Sequence, residues 1–270
     1  MNGLNIFLDL YFVLVLDWGV AGVAGATLIS EVFAVAIGLY LYQRNLTETD
    51  PGGQRGELWD VGKIRHMFAV NLNIFVRNLS ILLAFSFFTS QVSRFGDVTI
   101  AAHLVLMQFQ MFLSFGLDGF AHAAEALVGG SIGKKNRAAV RNAVIVSTKW
   151  AGGIALVYSG FYLLNGPHII QLLTSILEVQ AVANDYLFWI VISPLISVWS
   201  FQLDGVFIGA TRSKEMRNGM IASLTIFVIA TLMLKENFGY SGLWLAFILF
   251  MTTRALTLAA FYPRIERDAV

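Results

Sequence analysis

The sequence predicts an all-α polytopic membrane protein, and three observations carry that prediction. Of 270 residues, 57% are hydrophobic and only 13% charged, where a soluble domain is about half apolar and a quarter charged. Seven apolar runs reach the roughly 20 residues that a bilayer crossing takes. Lys and Arg gather between alternate runs, the pattern of loops on one side of a membrane.

The elements follow in order. Residues 3–16 are apolar but about 14 residues long, short for a crossing. Asp17-Trp18-Gly19 reads as a turn between two helices. Spans are then expected at 18–43, 66–90, 98–127, 140–164, 181–210, 218–235 and 240–262. Short polar breaks bound them, among them Gly52-Gly53, Gly129-Gly130, Asn165-Gly166-Pro167 and Asn237. Pro194, inside the fifth run, removes a backbone hydrogen bond and should bend its helix.

Orientation follows from the cations. The loops at 44–65, 129–142 and 211–217 and the tail from 263 hold thirteen Lys and Arg residues, and the opposite side holds Arg94 and Lys235. The positive-inside rule makes the thirteen cytoplasmic, and with them the C-terminus.

Some functional classes fall away at once. Net charge is +1, so no bulk electrostatic case exists for nucleic acid. Without cysteine there is no thiolate zinc site or disulfide framework. The stretch "GGSIGKKNRAAVRN" has glycines and lysines but not P-loop spacing, and "HAAE" (His122 to Glu125) lacks the two-His metalloprotease arrangement. No cofactor site, nucleophile or catalytic dyad is legible, so an enzyme is not expected. His103, alone in an apolar helix, reads as a hydrogen-bonded packing residue.

Two sets of polar residues inside the apolar runs carry the chemistry. In "LNIFLDLYFVLVLDWGVAGVAGATLIS", Asp9 lies nine residues before Trp18 and Thr27 nine after. At 1.5 Å per residue each sits about 13 Å from the bend, against a half-thickness of about 15 Å. Asn5 shares the helical face of Asp9, and Glu31 that of Thr27. A charged Asp at that depth costs ~2.5–3.5 kcal/mol and normally finds a cavity, a partner or a proton. Asn, Asp and Thr offer oxygen ligands to a small hard cation, or a titrating carboxylate. Equally, they can form an interhelical hydrogen bond that only holds the helices together. A signal peptide ending near "AGVAGA" fits less well, since no basic residue precedes the run and Asp9 interrupts it.

The second set is Arg77, Asp118, Lys149 and Asp204, each placed ~12–17 Å from the cytoplasmic side by residue count. Two cations and two carboxylates at one level compensate one another. They read as a charged cavity lining, as a latch, or as a static ion-pair network that fixes packing.

Several stretches resemble one family. "NIFLDLYFVL…WGVAGVAGATLIS" is similar to the fifth and sixth helices of multidrug and toxic compound extrusion (MATE) transporters, most closely the DinF-like branch. "NLNIFVRNLSILLAFSFFTSQVSRFGDVTIAAHLVLMQFQMF", "LDGFAHAAEALVGGSIGKKN" and "FQLDGVFIGATRSKEMRNGM" follow in the order of helices seven, eight and ten. The resemblance implies twelve helices in two lobes, with export of amphipathic or cationic compounds driven by H+ or Na+. Residues 1–43 then match the end of the N-terminal lobe, 44–65 the cytoplasmic interlobe linker, 66–263 the six-helix C-terminal lobe and 264–270 a cytoplasmic tail. It assigns Asn5, Asp9 and Thr27 to the N-lobe cation site, whose further acid on helix one is not in this sequence. On that reading Asp9 sits in a helix whose beginning and partners lie upstream of Met1, and the fragment alone is not expected to transport.

Asp118-Gly119 and Asp204-Gly205 resemble branch motifs, placing Arg77, Asp118 and Asp204 in a C-lobe cluster. The acids of the sodium-coupled branch are not matched, which points to H+. The implied partners are an amphipathic substrate, H+ or Na+, the lipid bilayer and a missing N-lobe. The implied location is the plasma membrane, a bacterial inner membrane. A lipid-linked precursor flippase of the same superfamily and a non-transporting half-transporter subunit are the other readings.

Overall fold

The computed structural model describes residues 2–49 and 60–268. Residues 50–59 of the expected linker, with Gly52, Gly53 and Arg55, and residues 269–270 of the expected tail lie outside the described residues. The chain divides into two compact units, Met1–Val61 and Gly62–Val270.

The first unit is a helical hairpin. α1 (Asn2–Leu10) runs into a π-helical turn at Tyr11–Val15, and α2 (Gly19–Thr49) returns antiparallel. The expected turn lies where the sequence put it. Asp17 and Gly19 both take φ of +53°, a conformation glycine adopts freely and Asp better than most. On α2, Gly22, Ala26 and Ser30 are buried at four-residue intervals, so one small-residue stripe faces α1. A Cβ on Gly22 would come within 3.1 Å of the Phe12 and Trp18 Cβ atoms, so glycine is what lets the arms close.

The second unit holds α3 (Val61–Val92), α4 (Asp97–Gly133), α5 (Arg137–Leu173), α6 (Leu177–Asp185), α7 (Leu187–Gly209) and α8 (Ser213–Asp268). α8 is two helices in tandem: 56 residues in one rod would be about 84 Å long, and Gly239, at φ +54° and ψ −134°, breaks it. Across both units, six helices are long and apolar enough to cross a bilayer, α8 counted as one. The predicted spans are all helical, and no strand occurs among the described residues.

Three boundaries differ from expectation, each for a packing reason. α4 continues past Gly129-Gly130, and α5 through Asn165-Gly166-Pro167. The glycines at 129 and 166 serve close approach rather than termination. A Cβ on Gly166 would lie 2.6 Å from Leu187 Cδ2, and one on Gly129 would lie 3.3 Å from Gly209 O. The 181–210 run is not one helix but α6 and α7, which part at Tyr186, whose ring packs 4.4 Å from that of Tyr240.

α4 and α7 form the spine. The segment Gly205-Val-Phe-Ile-Gly209 lays two glycines on α4: a Cβ at 205 would fall 2.1 Å from Ala121 O, and one at 209 would fall 2.5 Å from Glu125 O. Small residues four apart are the membrane solution for bringing two helix backbones together. Around Pro194, Ser193 Oγ donates to Gln110 Oε1 at 2.7 Å, and Ser159 Oγ donates to Val191 O at 2.7 Å. These cross-links anchor the disturbed turn to α4 and α5. Phe88, Phe227, Trp244, Phe247 and Phe250 form a buried aromatic cluster packed mostly edge to face.

Within the second unit the charged turns after α4 and α7 sit at one end. Arg137 pairs with Glu266 at 3.6 Å, and Arg212 pairs with Asp268. The turns after α4 and α7 therefore meet the end of α8.

Candidate functional site

Asn5, on α1, faces Thr27 of α2, with the amide nitrogen 3.4 Å from Thr27 Oγ1. Turned about, that amide donates to Asp9 Oδ2 at 3.3 Å while its oxygen accepts from the Thr27 backbone N–H at 3.3 Å. Either way Asn5 is the bridge. Thr27 Oγ1 donates to Val23 O at 3.0 Å, the usual internal bond of a helical threonine. Asp9 Oδ1 is covered and has no hydrogen-bond partner among the described residues.

The register differs by a turn from the simple residue count. Asn5, not Asp9, stands opposite Thr27, because the π turn and the bend consume residues with less rise than α-helix. Glu31 is exposed. The π turn itself begins two residues after Asp9; such turns are frequent at functional sites, and residue pattern alone did not mark this one.

In the second unit the charges assemble on Asp204. Arg77 of α3 pairs with its Oδ2 through Nη2, and Arg254 of α8 donates to the same oxygen at 2.7 Å. Asp204 is 5% exposed and Arg254 3%. The Arg254 guanidinium also lies 5.7 Å from the Phe201 ring and 5.6 Å from the Phe250 ring. Arg77 bonds Asn78 Oδ1 at 2.9 Å, and one turn earlier Asn73 accepts from Arg217 at 2.7 Å and donates to Ser213 at 3.1 Å. Asp118 makes no ion pair among the described residues but lies in the field of His122, Arg77, Asp204 and Arg254.

Two guanidinium groups on one carboxylate leave an excess of one positive charge, and Asp118 offsets it at longer range. A group so desolvated is costly to unpair: removing one partner of a buried ion pair costs about 3–5 kcal/mol.

The four-residue cluster expected at this level is therefore corrected in one member. Lys149 is exposed and lines a cleft with Arg141 and Glu266 instead. Depth along the bundle was right for Lys149, but its face of α5 is the wrong one; Ser147 is the residue there that turns inward, accepting from Gln202 at 2.6 Å. Arg254 takes the second cationic place. Its signal, a lone cation in the middle of the 240–262 run, was there to be read.

His103 is a packing residue as expected. It is fully buried, with Nδ1 3.1 Å from the Tyr240 hydroxyl and Nε2 3.4 Å from Thr89 Oγ1.

Membrane-length helices with ionised side chains paired inside them define an integral membrane protein. Its family follows from comparison. Residues 74–234 match MatE, and the chain belongs to that family. It is 39% identical over 267 residues to DNA damage-inducible protein F of Escherichia coli (strain K12), which covers 99% of this chain and 58% of that protein. It is 25% identical over 257 residues to Protein DETOXIFICATION 44, chloroplastic, of Arabidopsis thaliana, covering 94% of this chain and 47% of that one.

Solved MATE structures share the fold. The outward-facing conformation of a multidrug resistance MATE family transporter of the MOP superfamily aligns with TM-score 0.85 and 22% identity, over 98% of this chain and 60% of that one. The bent form of the Vibrio cholerae MATE transporter VcmN gives 0.82 and 19%, over 98% and 60%. The chain thus spans about 58% of its E. coli relative and about 60% of these transporters.

Proposed function

We propose that this chain forms the C-terminal portion of a secondary active multidrug efflux antiporter, which exports amphipathic or cationic compounds in exchange for H+ or Na+ by alternating access. The observation that carries the reading is Asp9: a carboxylate in an apolar hairpin, beside Asn5 and Thr27, with one covered oxygen that nothing in the hairpin satisfies. Such an oxygen takes a proton or a small cation. Asn5 and Thr27 then supply further oxygens and hold the helices in register.

Residues 1–43 belong in this reading to the N-lobe and 66–263 to the C-lobe, with 44–65 and 264–270 cytoplasmic, in the plasma membrane of a bacterium. Arg77, Asp204 and Asp118 form the charged heart of the C-lobe. In the flippase alternative a lipid headgroup would engage Arg77, but Arg77 is already committed to Asp204.

The test uses liposomes with an imposed pH or Na+ gradient and ethidium as the exported cation. The 270-residue chain is compared with the same chain joined to the N-terminal part of the E. coli relative that it does not cover. Gradient-driven efflux is expected from the joined protein, is lost on Asp9→Asn, and is absent from the chain alone. Efflux by the chain alone, or efflux indifferent to Asp9→Asn, would sink the proposal.

A further inference from the structure

One flank of the second unit carries two cations that have no counter-ion among the described residues. Arg141 and Lys149 stand on α5, with Val144, Ile145 and Thr148 between them; Tyr262 and Glu266 of α8 form the other wall. Together these residues line a cleft of about 370 Å³. Positions 141, 145 and 149 are four apart and share a helix face, and eight residues separate the two cations by about 12 Å.

The cleft's only carboxylate is already engaged. Glu266 pairs with Arg137 at 3.6 Å and accepts from the Tyr262 hydroxyl at 2.8 Å. Among the described residues neither Arg141 nor Lys149 has an ion-pair partner, and both are exposed. An ammonium this far along a membrane span is unfavourable unless it reaches the interface or meets an anion. A lysine stem extends to do both.

We propose that this cleft seats an anionic membrane phospholipid. Its phosphodiester lies between Lys149 and Arg141, and an acyl chain runs against Val144 and Ile145. The complementarity is of charge and polarity together: one cation near the start of α5 and one two turns further along it, apolar wall between them, and an acid that is neutralised within the protein. The proposal stands apart from the transport reading and depends on no residue of the hairpin.

The experiment is native mass spectrometry of the full chain released from micelles containing equal phosphatidylglycerol, phosphatidylcholine and diacylglycerol. Phosphatidylglycerol is expected to be the lipid retained. Lys149→Met should lower its retention about fivefold and Lys149→Met/Arg141→Gln about thirtyfold, because each basic residue near a membrane surface contributes roughly a fivefold preference. Lys149→Arg should keep it, and Lys134→Gln, in the exposed turn after α4, should leave it unchanged.

Three results overturn the proposal: equal retention by the double variant, diacylglycerol held as well as phosphatidylglycerol, or millimolar inorganic phosphate stripping the lipid from wild type. The first removes the cations from the interaction, the second leaves only a greasy groove, and the third marks a small-anion site. Should the double variant lose its helical circular dichroism, the pair Lys149→Met and Lys149→Arg carries the test.

Discussion

Asp9 and Asp204 both sit inside apolar helices of this protein, and their surroundings are opposite. Asp204 is gripped by two guanidinium groups on a single oxygen, with aromatic rings closing over one of them. Asp9 has an amide for a neighbour and an oxygen with no partner. The first carboxylate is saturated in charge: both arginines hold its Oδ2, and a proton or a metal ion on that oxygen would have to displace one of them. The second is incomplete. In a low-dielectric interior, saturation makes a strut, and incompleteness makes a site that something else must fill. Burial of an acid in a membrane helix therefore does not by itself mark the functional one; its partners do.

The largest effect should come from breaking the strut. Asp204→Asn leaves the buried Arg254 and half-buried Arg77 guanidinium groups without the carboxylate they share, and a loss of about 3–5 kcal/mol is expected. It is measured as a fall in the thermal unfolding midpoint of the detergent-solubilised chain. Arg254→Met should cost more than Arg77→Met, since the Arg77 side chain is 16% exposed against 4% for Arg254 and Arg77 keeps Asn78 as a second partner. The double variant Asp204→Leu/Arg254→Met removes one charge of each sign and should be more stable than the sum of its singles. Strict additivity would mean that the contact is incidental.

An intermediate effect tests the scaffold that holds Asp204 in place. Gly205→Leu, one residue on, drives a side chain into the Ala121 carbonyl and should cost about 1–3 kcal/mol by overpacking. The same change at Gly119, where nothing lies within 4 Å of an added Cβ, should be nearly silent. Equal losses at both positions would show that the α4–α7 approach is not what Gly205 serves.

The apolar spans, the hairpin turn and the shared level of Arg77 and Asp204 were legible in the sequence, because hydropathy and residue count fix the axial coordinate in a membrane. What sequence does not fix is azimuth. Lys149 and Arg254 show the loss: both are cations well inside apolar spans, and only the packed helices tell which points inward. The glycines at 129 and 166 misled in a related way. A glycine that ends a helix and one that admits a neighbouring backbone look alike until the neighbour is known. The register of the hairpin escaped because a π turn changes the rise per residue without any compositional mark. The assignment of Asn5, Asp9 and Thr27 to one site came from the family resemblance, and the residues' spacing alone left a purely structural hydrogen bond equally open.

The smallest expected effect is the one that separates the two aspartates. Asp9→Asn keeps the size and shape of the side chain, removes its charge, and leaves no buried partner charge behind, since Asp9 has none within the hairpin. Its unfolding midpoint should stay within about 1 kcal/mol of wild type, the ordinary range for a change that breaks no network. Thr27→Val, which deletes an oxygen 3.4 Å from the Asn5 amide, should likewise cost about 0.6 kcal/mol, the average for an interhelical hydrogen bond in a membrane. Transport in the joined protein should nonetheless be lost with Asp9→Asn and weakened with Thr27→Val. If Asp9→Asn instead unfolds the chain as readily as Asp204→Asn, then Asp9 is a second strut, its free oxygen is met by a structural partner, and the coupling role assigned to it falls.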